Sequence, residues 1–307
     1  MMKRSASRFA VFGLVLWSFA HHVSAQVISY KRNSLEVKGG VGGTFFFGDL
    51  GGSHGEGKAG FFDFDVQSMR GNSSVGLKFN ITNLWSVRTD FAYAQIMGDD
   101  QYSGDQGRFN RNLSFRSDVY EVSITSELVG INFSRFSRTK TATSELYGFV
   151  GVGVIQFNPQ AFYQGRWYSL QPLGTEGQGL EGESEPYSLT SVVVPYGVGY
   201  RKNVGEKTYI GIELSMRKSF TDYLDDVSGK YPNRARLAEE RGEVAAALSD
   251  RSLTPGDRTG VDRGNSQNND NYSFIQLTYS RSIGKQNAGG SRLARMFHKS
   301  AEKCPRF

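Results

Sequence analysis

The feature that most constrains this chain is a period of two in its hydrophobicity, repeated in eight separate runs. In the first run Leu35, Val37, Gly39, Val41, Gly43, Phe45 and Phe47 share one face, and Glu36, Lys38, Gly40, Gly42, Thr44 and Phe46 share the other. Val75, Leu77, Phe79 and Ile81 then alternate with Ser74, Gly76, Lys78 and Asn80. The pattern recurs over 85–93, 120–128, 146–154, 192–200, 210–217 and 275–283. Several runs outlast the five or six residues usual in soluble sheets and fit the 9–11 of a tilted membrane-spanning strand.

The links between runs alternate in length. Those at 82–84, 133–144 and 201–208 are short and polar, and those at about 51–72, 98–113, 157–187 and 222–271 are long. Outer-membrane barrels have this asymmetry, with short periplasmic turns and long outer loops. A soluble barrel or sandwich is the alternative, because its apolar face would simply turn inward. Strand length and loop asymmetry favour an all-β, transmembrane, antiparallel up-and-down barrel of eight strands. Aromatics near the strand ends (Phe45, Phe46, Phe47, Trp85, Phe133, Tyr147, Phe157, Tyr187, Phe220, Tyr272) read as an interfacial girdle. Leu237, Arg241, Val244 and Leu248 stand at helical spacing, so one short helix is expected in the last long loop, weakened by Gly242.

Export is the second line of argument. Lys3, Arg4 and Arg8 precede an apolar run from Phe9 to Ala20, and Val23-Ser24-Ala25 resembles a cleavage site. That run is too short to span a bilayer as a helix, so spanning falls to strands, which must close into a barrel. The expected organisation is a signal peptide at 1–25, an outer-membrane barrel at 26–284 and a basic periplasmic tail at 285–307. The net charge of +6 is concentrated in leader and tail, leaving a slightly acidic body. That distribution gives no basic stripe for nucleic acid. The tail, with Arg292, Arg295, Lys299 and Lys303, is either disordered or a dock for a periplasmic partner or anionic lipid. A single cysteine, Cys304, excludes an internal disulfide.

The polar faces carry charge that a narrow lumen must pair. Lys78, Arg88, Asp90, Glu121, Glu127, Glu213 and Arg217, with Glu36 and Lys38, are the candidates. A plug of ion pairs is the first reading, and an ion or substrate path the second. A membrane-embedded hydrolase would need His54 beside a nucleophile. The acids of Asp222-Tyr-Leu-Asp225-Asp226 match no ion-loop pattern well, and read as a solvated or Arg-paired loop rather than a Ca²⁺ site. No catalytic, cofactor or metal residue is expected.

Several stretches together resemble the PorG-like outer-membrane barrels of the Bacteroidetes type IX secretion system. They are Gly48-Asp49-Leu50-Gly51, RNLSFRS from Arg111, GVGVIQFNP from Gly151, GRWYSLQPLGTEGQG from Gly165 and RKSFTDYLDDVSGKY from Arg217. The residues at these positions include Asp49, Arg111, Asn112, Arg116, Trp167, Gln171, Glu176, Asp222, Asp225 and Asp226. The resemblance implies an anchor or structural part of a protein-secretion machinery, with outer-membrane lipid and periplasmic or lipoprotein ring components as partners. It implies no small-molecule substrate. A small passive channel or ligand-binding barrel is the alternative function, and the hydrolase a more distant one. If the leader is read correctly, N-terminal sequencing of the exported protein starts at Gln26. Retention of residues 1–25 would overturn it.

Overall fold

A computed structural model describes residues 34–50, 67–133, 144–205 and 207–283. The expected leader, His54, and the tail with Cys304 lie outside the described residues. Among the described residues nine strands form: β1 (Ser34–Phe47), β2 (Arg70–Asn80), β3 (Trp85–Asp99), β4 (Ser114–Asn132), β5 (Ser144–Tyr163), β6 (Arg166–Ser169), β7 (Thr190–Asn203), β8 (Thr208–Ser219) and β9 (Asn271–Ile283). All pairings are antiparallel. The order β4-β3-β2-β1-β9-β8-β7-β5 is closed by a further β4–β5 pairing, giving an eight-stranded barrel. Closure satisfies every strand edge, which lipid would leave unpaired. No described helix is long and apolar enough to cross a membrane.

Alternation decides what each face meets. On β5, Leu146, Val150, Val152 and Val154 point outward and are 39–61% exposed, whereas Phe149, Ile155 and Phe157 point inward and are at most 6% exposed. The same exterior belt holds Leu77, Phe91, Val122, Ile124, Val198, Ile212 and Leu277. From Leu146 to Val154, at about 3.3 Å per residue and a tilt of about 40°, the belt covers roughly 20–25 Å of height. Above it the exterior of β4 and β5 turns polar, at Asp118, Arg116, Gln156, Asn158 and Gln160.

The aromatic girdle differs from expectation. Trp85, Phe133 and Phe220 do face outward, joined by Tyr93, Tyr120, Tyr196 and Tyr200. Tyr147, Phe157 and Tyr272 are buried at 3% or less, because their parity turns them into the lumen, and Phe46 packs edge-on against Phe115. Tyr187 stacks on Tyr223 in the outer loops.

Sequence alternation does not announce β6. It extends β5 as a hairpin through Gln164 and Gly165, whose φ of 47° and 80° are those of a tight hairpin turn. The single helix expected over 235–248 is broken in two. Helix α2 (Arg234–Arg241) and α3 (Glu243–Ser249) meet at Gly242, whose φ of 92° suits glycine, and Asn233 caps the first. A short α1 (Gln106–Arg111) precedes β4, with Asn112 as its left-handed C-cap.

If the belt faces lipid, Val150→Arg, near its middle, is expected to destabilise the barrel by about 2–4 kcal/mol, and Asn158→Arg by at most about 1 kcal/mol. Urea refolding titrations in lipid vesicles measure both, and equal costs would refute the assignment.

Candidate functional site: the lumen and its outer cap

The barrel interior has two chemically distinct halves. The half nearer the short turns is a network of buried charge. Lys78 pairs with Glu127 and Lys38 with Glu213. Arg88 donates to Asp90 at 2.5 Å, to Glu213 at 2.9 Å and to Glu127 at 3.3 Å. Arg201 reaches Glu145 at 2.8 Å and Glu36 at 3.3 Å. The Tyr147 hydroxyl donates to Glu213 at 2.5 Å, and Asn80 donates to Glu36 at 2.8 Å. A side chain at Gly199 would overlap the Tyr147 ring, so this strand approach needs glycine.

One level higher, Arg217 donates to Glu121 at 3.1 Å, and the Tyr272 hydroxyl donates to the same carboxylate at 3.0 Å. The Arg217 guanidinium lies 3.6 Å from the Phe274 ring centre. All nine lumen charges singled out in the sequence therefore stand in ion pairs, distributed over these two levels. Sequence reasoning missed Arg201, Glu145 and Tyr147. Reading parity through 145–147 and 199–201 finds all three.

The half nearer the long loops is apolar. Ala92, Ala94, Ile96, Phe115, Val119, Ile155, Phe157 and Val193 line it from the strands. Leu50, Leu113, Leu170, Leu224, Val227 and Leu248 enter it from the loops. The described parts of the long loops thus form a cap that shares one core with the barrel mouth.

Most of the motif residues staple this cap. Arg111 pairs with Asp100 at 2.7 Å and donates to the carbonyls of Asp49 and Arg263 at 2.6 and 2.7 Å. Asn112 donates to the Arg251 carbonyl, and Gln171 to the Tyr187 carbonyl. Glu176 accepts from the amides of Ser228 and Gly229, each at 2.9 Å, and from Arg263 at 3.1 Å. Asp225 accepts from the amides of Leu50 and Val227. Asp226 accepts from the hydroxyls of Thr175 and Tyr187 and lies 3.7 Å from Arg263. Arg116 and Trp167 stand apart on the exterior, with the guanidinium 3.6 Å from the indole centre. The acids at 222–226 are not a solvated loop: each is at most 7% exposed, and among them only Asp226 pairs with an arginine. Likewise Arg263 and Asp270, in what reads as a surface loop, are 3% and 0% exposed.

Burial shapes the titration of the cap. It raises Asp222 to about 7, with Asp49 and Glu176 adding and Ser228 opposing. Burial also raises Asp226 to about 6 against the pull of Arg263. Among the described residues no three His, Cys, Asp or Glu groups are arranged to hold a metal ion. Two surface clefts, of about 550 and 270 Å³, lie at the outer end, the first beside α2 and α3, the second under Trp167. Neither is lined by the ion-pair network.

Residues 36–242 match a protein family described as a domain of unknown function, DUF6089. The chain belongs to that family. Its span begins inside β1 at Glu36 and ends at Gly242, so it takes in most of the charge network and the cap motifs. No curated protein matches the chain. Among solved structures it is similar to Ail, the attachment invasion locus protein of Yersinia pestis, at 11% identity over 82% of this chain and 99% of that one, with a TM-score of 0.36. OprG, an outer membrane protein of Pseudomonas aeruginosa, matches at 11% identity over 85% of this chain and 100% of that one, with a TM-score of 0.37. Neisserial surface protein A matches at 8% identity over 81% and 97%, also with a TM-score of 0.37.

In this DUF6089 barrel Glu213 joins Lys38, Arg88 and Tyr147. Glu213→Gln would leave two buried cations short of an anion, at a cost on the order of 3–5 kcal/mol. Unfolding titrations should show that loss. A change within about 0.5 kcal/mol would mean the network does not stabilise the barrel.

Proposed function

We propose that this protein is a sealed, non-enzymatic outer-membrane barrel. In this reading it anchors or braces a protein-secretion machinery of the type IX kind, exported through a cleavable leader. One observation carries the proposal: the lumen is filled twice over, by ion pairs below and by an apolar plug above. A barrel filled in this way works through its surfaces rather than through a path. An eight-stranded barrel is narrow enough for side chains to fill. The resemblance of the cap motifs to PorG-like barrels supplies the secretion context, and periplasmic or lipoprotein ring components are the partners it names.

In this reading the basic residues beyond Gly284 are the handle for such a partner. No general base is required, so His54→Ala should leave function unchanged. The test combines two measurements. Purified protein in a planar bilayer should give no steady conductance, and a large steady current would favour the channel reading. Truncation after Gly284 should leave the barrel folded, resistant to SDS until boiled, while reducing recovery of envelope complexes and secretion of cargo. Unchanged secretion by the truncated chain, or after deletion of the whole gene, would remove the secretion role.

A further inference from the structure

Four carboxyl groups from three cap segments converge behind the apolar plug. Asp49 follows β1, Asp222 and Asp225 follow β8, and Asp270 precedes β9. They grip the plug directly. The Leu50 amide donates to Asp225 at 3.0 Å and the Leu224 amide to Asp270 at 2.9 Å. Leu50 and Leu224 are the side chains these segments drive into the barrel mouth, at 3% and 0% exposure. The Asn265 amide donates to Asp49 at 2.6 Å.

Carboxyls outnumber cations in the cluster. Arg111 and Arg108 act on Asp49, and Arg111 also acts on Asp225 while pairing with Asp100. Arg263 is engaged by Glu176 and Asp226. The charged groups that act most on Asp222, Asp225 and Asp270 are each other, Asp49 and, toward Asp222, Glu176, with Arg111 reaching Asp225 alone of these three. Both carboxylate oxygens of Asp222 and one of Asp270 are buried with no hydrogen-bond partner of good geometry. A bare buried carboxylate is prohibitive, and it neutralises by taking up a proton. Like charges held close cannot all ionise.

We propose that Asp49, Asp222, Asp225 and Asp270 form a proton-held latch that closes the outer cap over the barrel mouth and loosens as the outside medium turns alkaline. Burial raises all four carboxyls, Asp222 to about 7; repulsion within the cluster adds at Asp222, Asp225 and Asp270, and Glu176 adds at Asp49. The sign follows from linkage. Each carboxyl binds its proton more tightly in the closed cap than in an open chain, so closure is fully stabilised below the usual carboxylate range, about pH 4. That stabilisation falls as pH rises through the raised values, and Asp222 places part of the fall near neutrality. Repulsion then acts on the segments that carry Leu50 and Leu224. The ion-paired half of the lumen, balanced by its own cations, does not take part.

Hydrogen exchange on the intact barrel in lipid nanodiscs tests this, after correction for intrinsic exchange. Between about pH 6 and about pH 8.5, protection at 48–50 and 222–227 should fall by about tenfold or more, as one pKa unit of linkage implies. Protection within 120–128 should hold. Asp222→Asn with Asp270→Asn should flatten the pH response of the cap. A flat response in the native protein, or an undiminished one in the double variant, would overturn the latch. Should the double variant not fold, infrared spectra of the native protein decide. A protonated-carboxyl band present at about pH 6 and lost by about pH 8.5 supports the latch, and its absence at the lower pH refutes it.

Discussion

A ring of eight hydrogen-bonded strands in lipid has no freedom to open, because any unpaired backbone group would find no water. Everything else in the structure depends on that closure. It fixes a lumen about one side chain deep from each wall, so the interior must be filled and its contents must satisfy one another. The chain meets the demand in two ways. Toward the short turns it uses charge, with Lys38, Lys78, Arg88 and Arg201 set against Glu36, Asp90, Glu127, Glu145 and Glu213. Toward the long loops it uses hydrophobic side chains from both strands and cap.

The two fillings have different consequences. Buried ion pairs do little for net stability against an apolar alternative, but they penalise any misregistered arrangement. In a barrel a slip of one residue would turn Arg88 or Glu213 into lipid, so the network is well placed to specify register. The apolar half gains burial energy, about 1.5–3 kcal/mol for a leucine such as Leu224. It is also what makes the outer loops an ordered cap. The cap is thus tied to the barrel by packing, and its segments to one another by Arg111, Arg263 and Glu176.

The architecture was legible in the sequence because period two and alternating link lengths are direct physical consequences of a barrel. Lumen charge was legible for the same reason, as far as the runs were followed. Arg201 fell in what read as a turn and Glu145 just before the run that starts at Leu146, although the strands continue to Asn203 and begin at Ser144. Tyr147 and Tyr272 were assigned by position along the strand when parity was the stronger signal. The cap is a different matter. Asp49, Arg111, Glu176 and Asp225 are far apart in the chain and obey no period, so only likeness to other barrels drew attention to them. Arg263 and Asp270 sit in a stretch of Gly, Asn and Asp that carries every mark of an exposed loop. Nothing local distinguishes a loop residue that folds inward onto a barrel mouth.

Placing ion pairs low and carboxyls high also separates what each half responds to. Below, every carboxylate of the network has a cation within reach. Above, Asp222 and Asp270 keep oxygens without donors, and the charged state is the costly one. Between the two lie Arg217, Glu121 and Tyr272, a self-contained triad facing the plug on one side and the network on the other. That layer stands between the base of the lumen and the cap. The barrel wall can therefore stay closed and register-locked while the outer surface, the part that meets the outside medium, adjusts on its own.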